Sequence, residues 1–196
     1  SLFLARDRVG KKPLLYSHLP NGDLVFGSEF AAVLEHGSVP REVDHAAIDE
    51  YLSFICVPAP RTAFKHIRKL EPGHWLRWRA GEVETRRYWL PDFSQKVKIT
   101  EREAIEETTR ILAESTRLRM ISEVPLGAFL SGGVDSSIVV ALMARESSSP
   151  VKTFSIGFEE QDFSELKYAR RVAEHVGAEY HEFIVRPDAV EVLPTL

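Results

Sequence analysis

The sequence predicts a two-domain chain, α+β in its first half and α/β with a parallel sheet in its second. Three observations carry this. Residues 1 to about 92 alternate short strand-like runs with tight turns and hold only two short helical patterns, which suits a mixed fold of mostly antiparallel strands. Pro91-Asp92-Phe93-Ser94-Gln95 then interrupts every period. Beyond it the order is helix, strand, helix, strand, helix, strand, as in parallel sheets with helical crossovers. The expected boundaries are 1–92 for the first domain, 93–99 for a linker and 100–196 for the second domain.

In the first half, Phe3 to Ala5, Pro13 to Tyr16 and Leu24 to Phe26 read as strands, with Pro20-Asn21-Gly22-Asp23 as the turn before the third. Ser28 to Leu34 and Asp44 to Ile55 read as helices. In the second of these Ile48, Tyr51, Leu52 and Ile55 recur at the spacing of one buried face, and Asp44 can cap the N-terminus. Trp75 to Trp78 and Val83 to Tyr88 flank Ala80-Gly81 as a hairpin. Arg6, Asp7 and Arg8 form a charge run, read as a salt-bridged strand end or as a group signalling between sites.

The second half opens on a helix from Glu101 to Met120. Thr100 and Glu103 make a capping-box pattern, and Ile105, Ile111, Leu112, Leu118 and Arg119 mark a stripe expected to pack on the sheet. Val124 to Leu130 reads as a buried strand and Ile138 to Arg145 as the helix after it. Ser147-Ser148-Ser149-Pro150 breaks the chain before a strand over Lys152 to Phe158. Asp162-Phe163-Ser164 precedes a helix with Ala169, Val172, Ala173 and Val176 on one face. Gly177 ends that helix, and Tyr180 to Val185 is the third strand.

The chemistry concentrates in Leu130-Ser131-Gly132-Gly133-Val134-Asp135-Ser136-Ser137. A glycine-rich turn from a strand into a helix N-terminus gathers backbone N–H groups and the positive end of a helix dipole, which suits phosphate. It is not a Walker loop, because no lysine lies between Met120 and Ser149. It offers instead the hydroxyls of Ser131, Ser136 and Ser137, glycines that admit close approach, and the carboxylate of Asp135. A carboxylate beside a phosphate repels it unless a divalent cation intervenes, so Asp135 reads as a Mg²⁺ ligand.

Bulk properties narrow the partners. A net charge of −4 and a pI near 6.0 give no reason to expect nucleic acid or an anionic membrane. No apolar run reaches the ~20 residues of a membrane span, and the start lacks the pattern of a signal peptide, so the expected location is cytoplasmic. Cys56, the single cysteine, excludes an internal disulfide and a cysteine-based zinc site. The seven histidines show no ligand spacing.

Ser131 to Ser137 resembles the pyrophosphate loop of the ATP pyrophosphatases, and its surroundings resemble those of the glutamine-hydrolysing asparagine synthetases. Four earlier segments are similar to that family's glutaminase domain: Ala5 to Leu14, Phe26 to Glu29, Ile67 to His74 and Arg87 to Trp89. Thr153 to Phe158 resembles its second nucleotide-domain strand. The resemblance implies that the first domain is the C-terminal part of an N-terminal-nucleophile (Ntn-type) glutaminase. The second would be the start of an adenine-nucleotide PP-loop domain.

The implied activity is that of a ligase making asparagine from aspartate, ATP and glutamine-derived ammonia through β-aspartyl-AMP, with release of AMP and pyrophosphate. The implied cofactors are ATP and Mg²⁺. Ser131, Gly132, Gly133, Val134, Asp135, Ser136 and Ser137 would hold pyrophosphate, Asp135 the metal, and the backbone at Phe129 and Ile156 the nucleoside. Glu165, Arg170 and His181 also lie in family-like contexts. They read as a helix cap or surface pair for the first two and a strand-end polar residue for the third.

The family's N-terminal cysteine nucleophile has no counterpart. The nitrogen of Cys56 is locked in a peptide bond, and Ser1 opens a stretch that resembles late glutaminase strands. The chain therefore reads as an internal fragment, inactive alone, with the glutamine site upstream and the second metal ligand, catalytic lysine and aspartate site downstream. Its partners would be small molecules, and the resemblance leaves a homodimer open. Other readings are a β-lactam synthetase-like or surface-polysaccharide enzyme with another acceptor carboxylate, and a nucleotide-binding module without catalysis.

Overall fold

The computed structural model describes residues 1–158 and 165–185. The expected Asp162-Phe163-Ser164 helix entry lies outside them. The chain separates into two compact units, Ser1–Lys96 and Val97–Leu196. Together they form a mixed α/β structure with antiparallel sheets in the first unit and a parallel one in the second.

The first unit contains β1 (Leu2–Ala5), β2 (Leu15–His18), β3 (Leu24–Gly27), α1 (Phe30–Leu34), α2 (His45–Phe54), β4 (Arg68–Lys69), β5 (His74–Arg79) and β6 (Glu82–Arg87). They build two antiparallel sheets, ordered β1-β5-β6 and β3-β2-β4. The β5–β6 hairpin turns through Ala80 (φ 50°) and Gly81 (φ 86°), and positive φ at both loop residues matches the right-handed twist of the strands. Leu15, Leu19, Val33, Val39 and Ile67 form the core, with Phe30 and Phe64 against it.

Two readings of this half are corrected. Arg6 makes no ion pair among the described residues. Its guanidinium donates instead to the carbonyls of Lys12 (2.9 Å), Leu70 (2.7 Å) and Gly10 (2.9 Å). Asp7 accepts from the backbone N–H groups of Lys11 and Lys12. These charges hold a loop together by capping its backbone. The second correction concerns α2, which Asp44 caps through the N–H groups of Ala46 and Ala47. Its expected buried face is exposed, Leu52 at 76% and Ile55 at 83%, and only Ala47 is fully covered. Periodicity places apolar residues on one face but does not supply a partner for it.

The second unit contains α3 (Glu101–Arg119), β7 (Gly127–Phe129), α4 (Val134–Glu146), β8 (Lys152–Phe158), α5 (Leu166–Val176) and β9 (Glu179–Val185). The three strands are parallel in the order β7-β8-β9. Thr100 and Glu103 form the full capping box of α3. That helix packs chiefly on α4 and shares a cavity with Gly127 and Ala128 of β7, and it buries Thr116 while Ile105, Ile111 and Leu118 stay exposed. The expected strand from Val124 shortens to three residues, because Ser122 and Val124 close a local turn that occupies the backbone first. Leu130, Val140, Ala169 and Ala173 make the core between β7, α4 and α5. Two fully buried alanines on α5 let its backbone approach closely. No helix among the described residues is long and apolar enough to cross a membrane.

Candidate functional site

The site forms where β7 and β8 end. Leu130 extends the β7–β8 ladder by donating its N–H to the Phe154 carbonyl at 2.9 Å, and its own carbonyl accepts from the buried Ser155 hydroxyl. The residue before the loop is thus held at both backbone groups. Ser131 to Gly133 then turn the chain into α4, whose helical residues begin at Val134, inside the loop motif rather than at Ile138.

The loop is internally bonded. Ser131 Oγ lies 2.9 Å from Ser136 Oγ and accepts the Gly133 N–H at 3.3 Å. The Gly133 carbonyl accepts the Ser136 hydroxyl at 3.2 Å, the Ser137 hydroxyl at 2.7 Å and the Ser137 N–H at 3.1 Å. Gly133 caps α4 without a side chain, which leaves the first-turn N–H groups facing outward without a helical acceptor. Asp135 is in this turn and exposed, as is Val134 at 75%.

Gly132 is the residue the geometry constrains most. Its φ is +83°, and a Cβ there would fall 2.5 Å from Ala169 N and 2.6 Å from Tyr168 Cβ. The loop therefore rests directly on the first turn of α5, an arrangement only glycine permits.

A cavity of about 200 Å³ opens beside the loop, lined by Phe129, Ser131, Ser155, Ile156, Glu165 and Leu166 among others. Phe129 (79% exposed) and Ile156 (54% exposed) are at its wall, not in a core. Sequence reasoning missed Ser155, whose buried hydroxyl joins the cavity to the loop; a serine at an inward strand position was its one visible signal. Glu165 makes no side-chain cap of α5 and lines this cavity instead.

Arg170 forms the expected surface pair with Glu182, at 2.8 Å. The pair holds the Glu182 carboxyl below the usual range and raises Arg170. His181 is inside β9, not at its end, and its ring stacks on Phe154 at 5.1 Å. Behind it Tyr180 is pushed above its ordinary pKa, first by burial. No cluster of three or more His, Cys, Asp or Glu side chains able to hold a metal occurs among the described residues.

Comparison with known proteins agrees with both halves. Residues 1–89 match a glutamine amidotransferase domain and residues 107–196 an asparagine synthase domain. An asparagine synthetase (glutamine-hydrolysing) of Bacillus subtilis is 36% identical over 95% of this chain. The chain is a homologue of the glutamine-hydrolysing asparagine synthetases. A putative asparagine synthetase of Methanocaldococcus jannaschii is 32% identical over 98% of the chain, and a protein of Penicillium rubens named an amidase is 30% identical over 92%. The chain spans 29% and 38% of the lengths of the two synthetase relatives. Within this homology the loop, the cavity and α5 all belong to the asparagine synthase match.

Proposed function

We propose that the chain is part of a longer, ATP-dependent cytoplasmic ligase that makes asparagine from aspartate and glutamine-derived ammonia. Its first unit would be the later part of an Ntn-type glutaminase domain and its second the start of a PP-loop nucleotide domain. The observation that carries the reading is the self-bonded loop Ser131–Ser137 at the end of a parallel strand, opening onto a helix N-terminus with a cavity beside it.

In this reading the nucleoside enters the cavity along the backbone at Phe129 and Ile156. The β and γ phosphates lie over the N–H groups of Val134, Asp135 and Ser136, with the hydroxyls of Ser131, Ser136 and Ser137 turning toward them. The residues fit Mg²⁺ as a shared ion: one exposed carboxylate, Asp135, suits a cation that takes one or two protein ligands and completes its shell with phosphate and water. Bound there, Mg²⁺ supplies charge neutralisation to the departing pyrophosphate. The loop contributes fixed dipoles at the same place. An aspartate carboxylate oxygen forms the bond to the α-phosphorus as the α–β bridge breaks, giving β-aspartyl-AMP and pyrophosphate. Ammonia then displaces AMP from the acyl carbon.

One alternative is the same adenylation with a different acceptor acid. Titrating the chain with MgATP tests the site: saturable binding is expected, weakened at least about tenfold in Asp135→Ala. Unchanged binding in that variant would remove the metal assignment. Pyrophosphate release by the longer parent protein, with aspartate set against other carboxylic acids, then identifies the acceptor.

A further inference from the structure

We infer that the first unit carries a second anion site, apart from the nucleotide loop, built to hold the phosphate group of a small phosphomonoester. The site is a groove of about 340 Å³ lined by Tyr16, His18, Lys65, His66, Arg68 and Val83. Its size falls among small-ligand pockets and exceeds what a bare ion needs.

Strand register assembles it. Tyr16 of β2 and Arg68 of β4 are direct antiparallel partners, so their side chains share one face, and His18 follows two residues along on the same face. Lys65 and His66 come from the segment entering β4, and Val83 of β6 closes the far side. Five of the six lining side chains are polar, and none is acidic.

The charges are unevenly matched. Glu42 pairs with Lys65 and, at 3.3 Å, with His66 Nε2. Arg68 makes no ion pair and no side-chain hydrogen bond among the described residues, so its planar fork is open to a bidentate oxyanion. Tyr16 is half-buried, and burial, with Glu71 nearby, raises its pKa against the opposing charge of Arg68, which keeps the phenol a neutral donor. His18 Nε2 is 2.8 Å from the Gly81 carbonyl. A carbonyl only accepts, so that nitrogen carries the proton and Nδ1 is the free one. Two permanent cations, two imidazoles and a phenol therefore line the groove, and among the described residues Glu42 is the carboxylate paired directly with them, while Glu71 and Asp44 act on Tyr16 and Lys65 from further off.

The Glu42 carboxylate makes the test two-sided. The full chain is titrated with inorganic phosphate and, separately, with a hexose monophosphate. Binding is read from the ring-proton resonances of His18 and His66, two of the groove's own side chains. Saturable binding is expected, tighter for the hexose monophosphate; equal affinities would support the site with free phosphate as its ligand. Arg68→Ala should weaken binding about tenfold, as loss of a charged hydrogen-bond donor does. Glu42→Gln should tighten it about threefold by releasing Lys65 and His66, an outcome misfolding cannot produce. Arg79→Ala, on the same unit outside the groove, should leave it unchanged. Absence of saturable shifts up to about 10 mM of either probe would overturn the inference. So would failure of Glu42→Gln to tighten binding, or equal losses in Arg68→Ala and Arg79→Ala. None of these outcomes bears on the nucleotide site.

Discussion

Replacing each of the two adjacent loop glycines with alanine separates what the loop needs to fold from what it needs to bind. At Gly132 the backbone is in the left-handed region, φ +83°, which costs an L-residue about 1–2 kcal/mol. The added methyl also meets the backbone N of Ala169 at 2.5 Å and Tyr168 Cβ at 2.6 Å. Neither is the far end of a flexible side chain, so the loop or α5 must move, at a further ~1–3 kcal/mol. The two costs add to about 2–5 kcal/mol. At Gly133 φ is −71°, and the nearest atom to a new Cβ is Ser131 Oγ at an ordinary 3.4 Å. Losing glycine from the N-cap costs about 1 kcal/mol or less. Its methyl would, however, stand beside Ser131 Oγ, one of the hydroxyls proposed to turn toward the phosphates. Urea unfolding followed by circular dichroism should thus show a large loss of stability in Gly132→Ala and a small one in Gly133→Ala. MgATP titration should show Gly133→Ala binding at least about tenfold more weakly despite its near-normal fold. Equal unfolding midpoints for the two variants would refute the claim that α5 seats the loop.

Two further outcomes follow from the hydrogen bonds. Arg6→Ala leaves three carbonyls without their shared donor and should destabilise the first unit by about 2–4 kcal/mol. Arg6→Lys should recover only part of this, because an ammonium cannot reproduce the planar fork; fluorescence of Trp75, Trp78 and Trp89, all in that unit, reads the change. In α3, the Glu103 carboxyl is held below its ordinary value by the Thr100 backbone N–H and then by the Thr100 hydroxyl. A carboxyl depressed in the fold stabilises fully above its unfolded pKa of about 4.3. That stability is lost as pH falls through the lower folded value. Amide exchange in the first turn of α3 should therefore quicken, relative to the rest of the helix, below about pH 4, and the acid-dependent step should vanish in Glu103→Gln.

Sequence signals that name their own partner were legible. The Thr100–Glu103 box specifies two hydrogen bonds between residues three apart, and both are present. Lys152 to Phe158 is a strand with the bounds its apolar run suggested, and Gly177 ends α5 in the left-handed conformation a C-terminal glycine permits. Faces that need a distant partner were not legible. Ile48, Tyr51 and Leu52 do share a side of α2, with Ile55 just past its end in the left-handed conformation, but all four are exposed. The α3 stripe failed for a related reason: a helix at the margin of a unit needs only a narrow contact, and here Thr116 supplies it. β4, two residues long and bearing the charged pair Arg68-Lys69, carries no strand period; its pairing with Leu15 and Tyr16 is purely tertiary.

The same distinction applies at the loop. Serine, glycine and aspartate at these spacings announce a phosphate cradle, but the motif does not say how its hydroxyls are held before a ligand arrives. In the structure Ser136 and Ser137 both spend their hydroxyls on the Gly133 carbonyl, and Ser131 holds the Gly133 N–H. The loop is therefore shaped without the ligand, so binding need not order its backbone and gives up only short-range hydroxyl bonds. The hydroxyls can turn by side-chain rotation alone, while the first-turn N–H groups already face outward. A site arranged in this way spends little of its binding energy on organisation, which leaves the dipoles of α4 available for charge that develops on a leaving pyrophosphate.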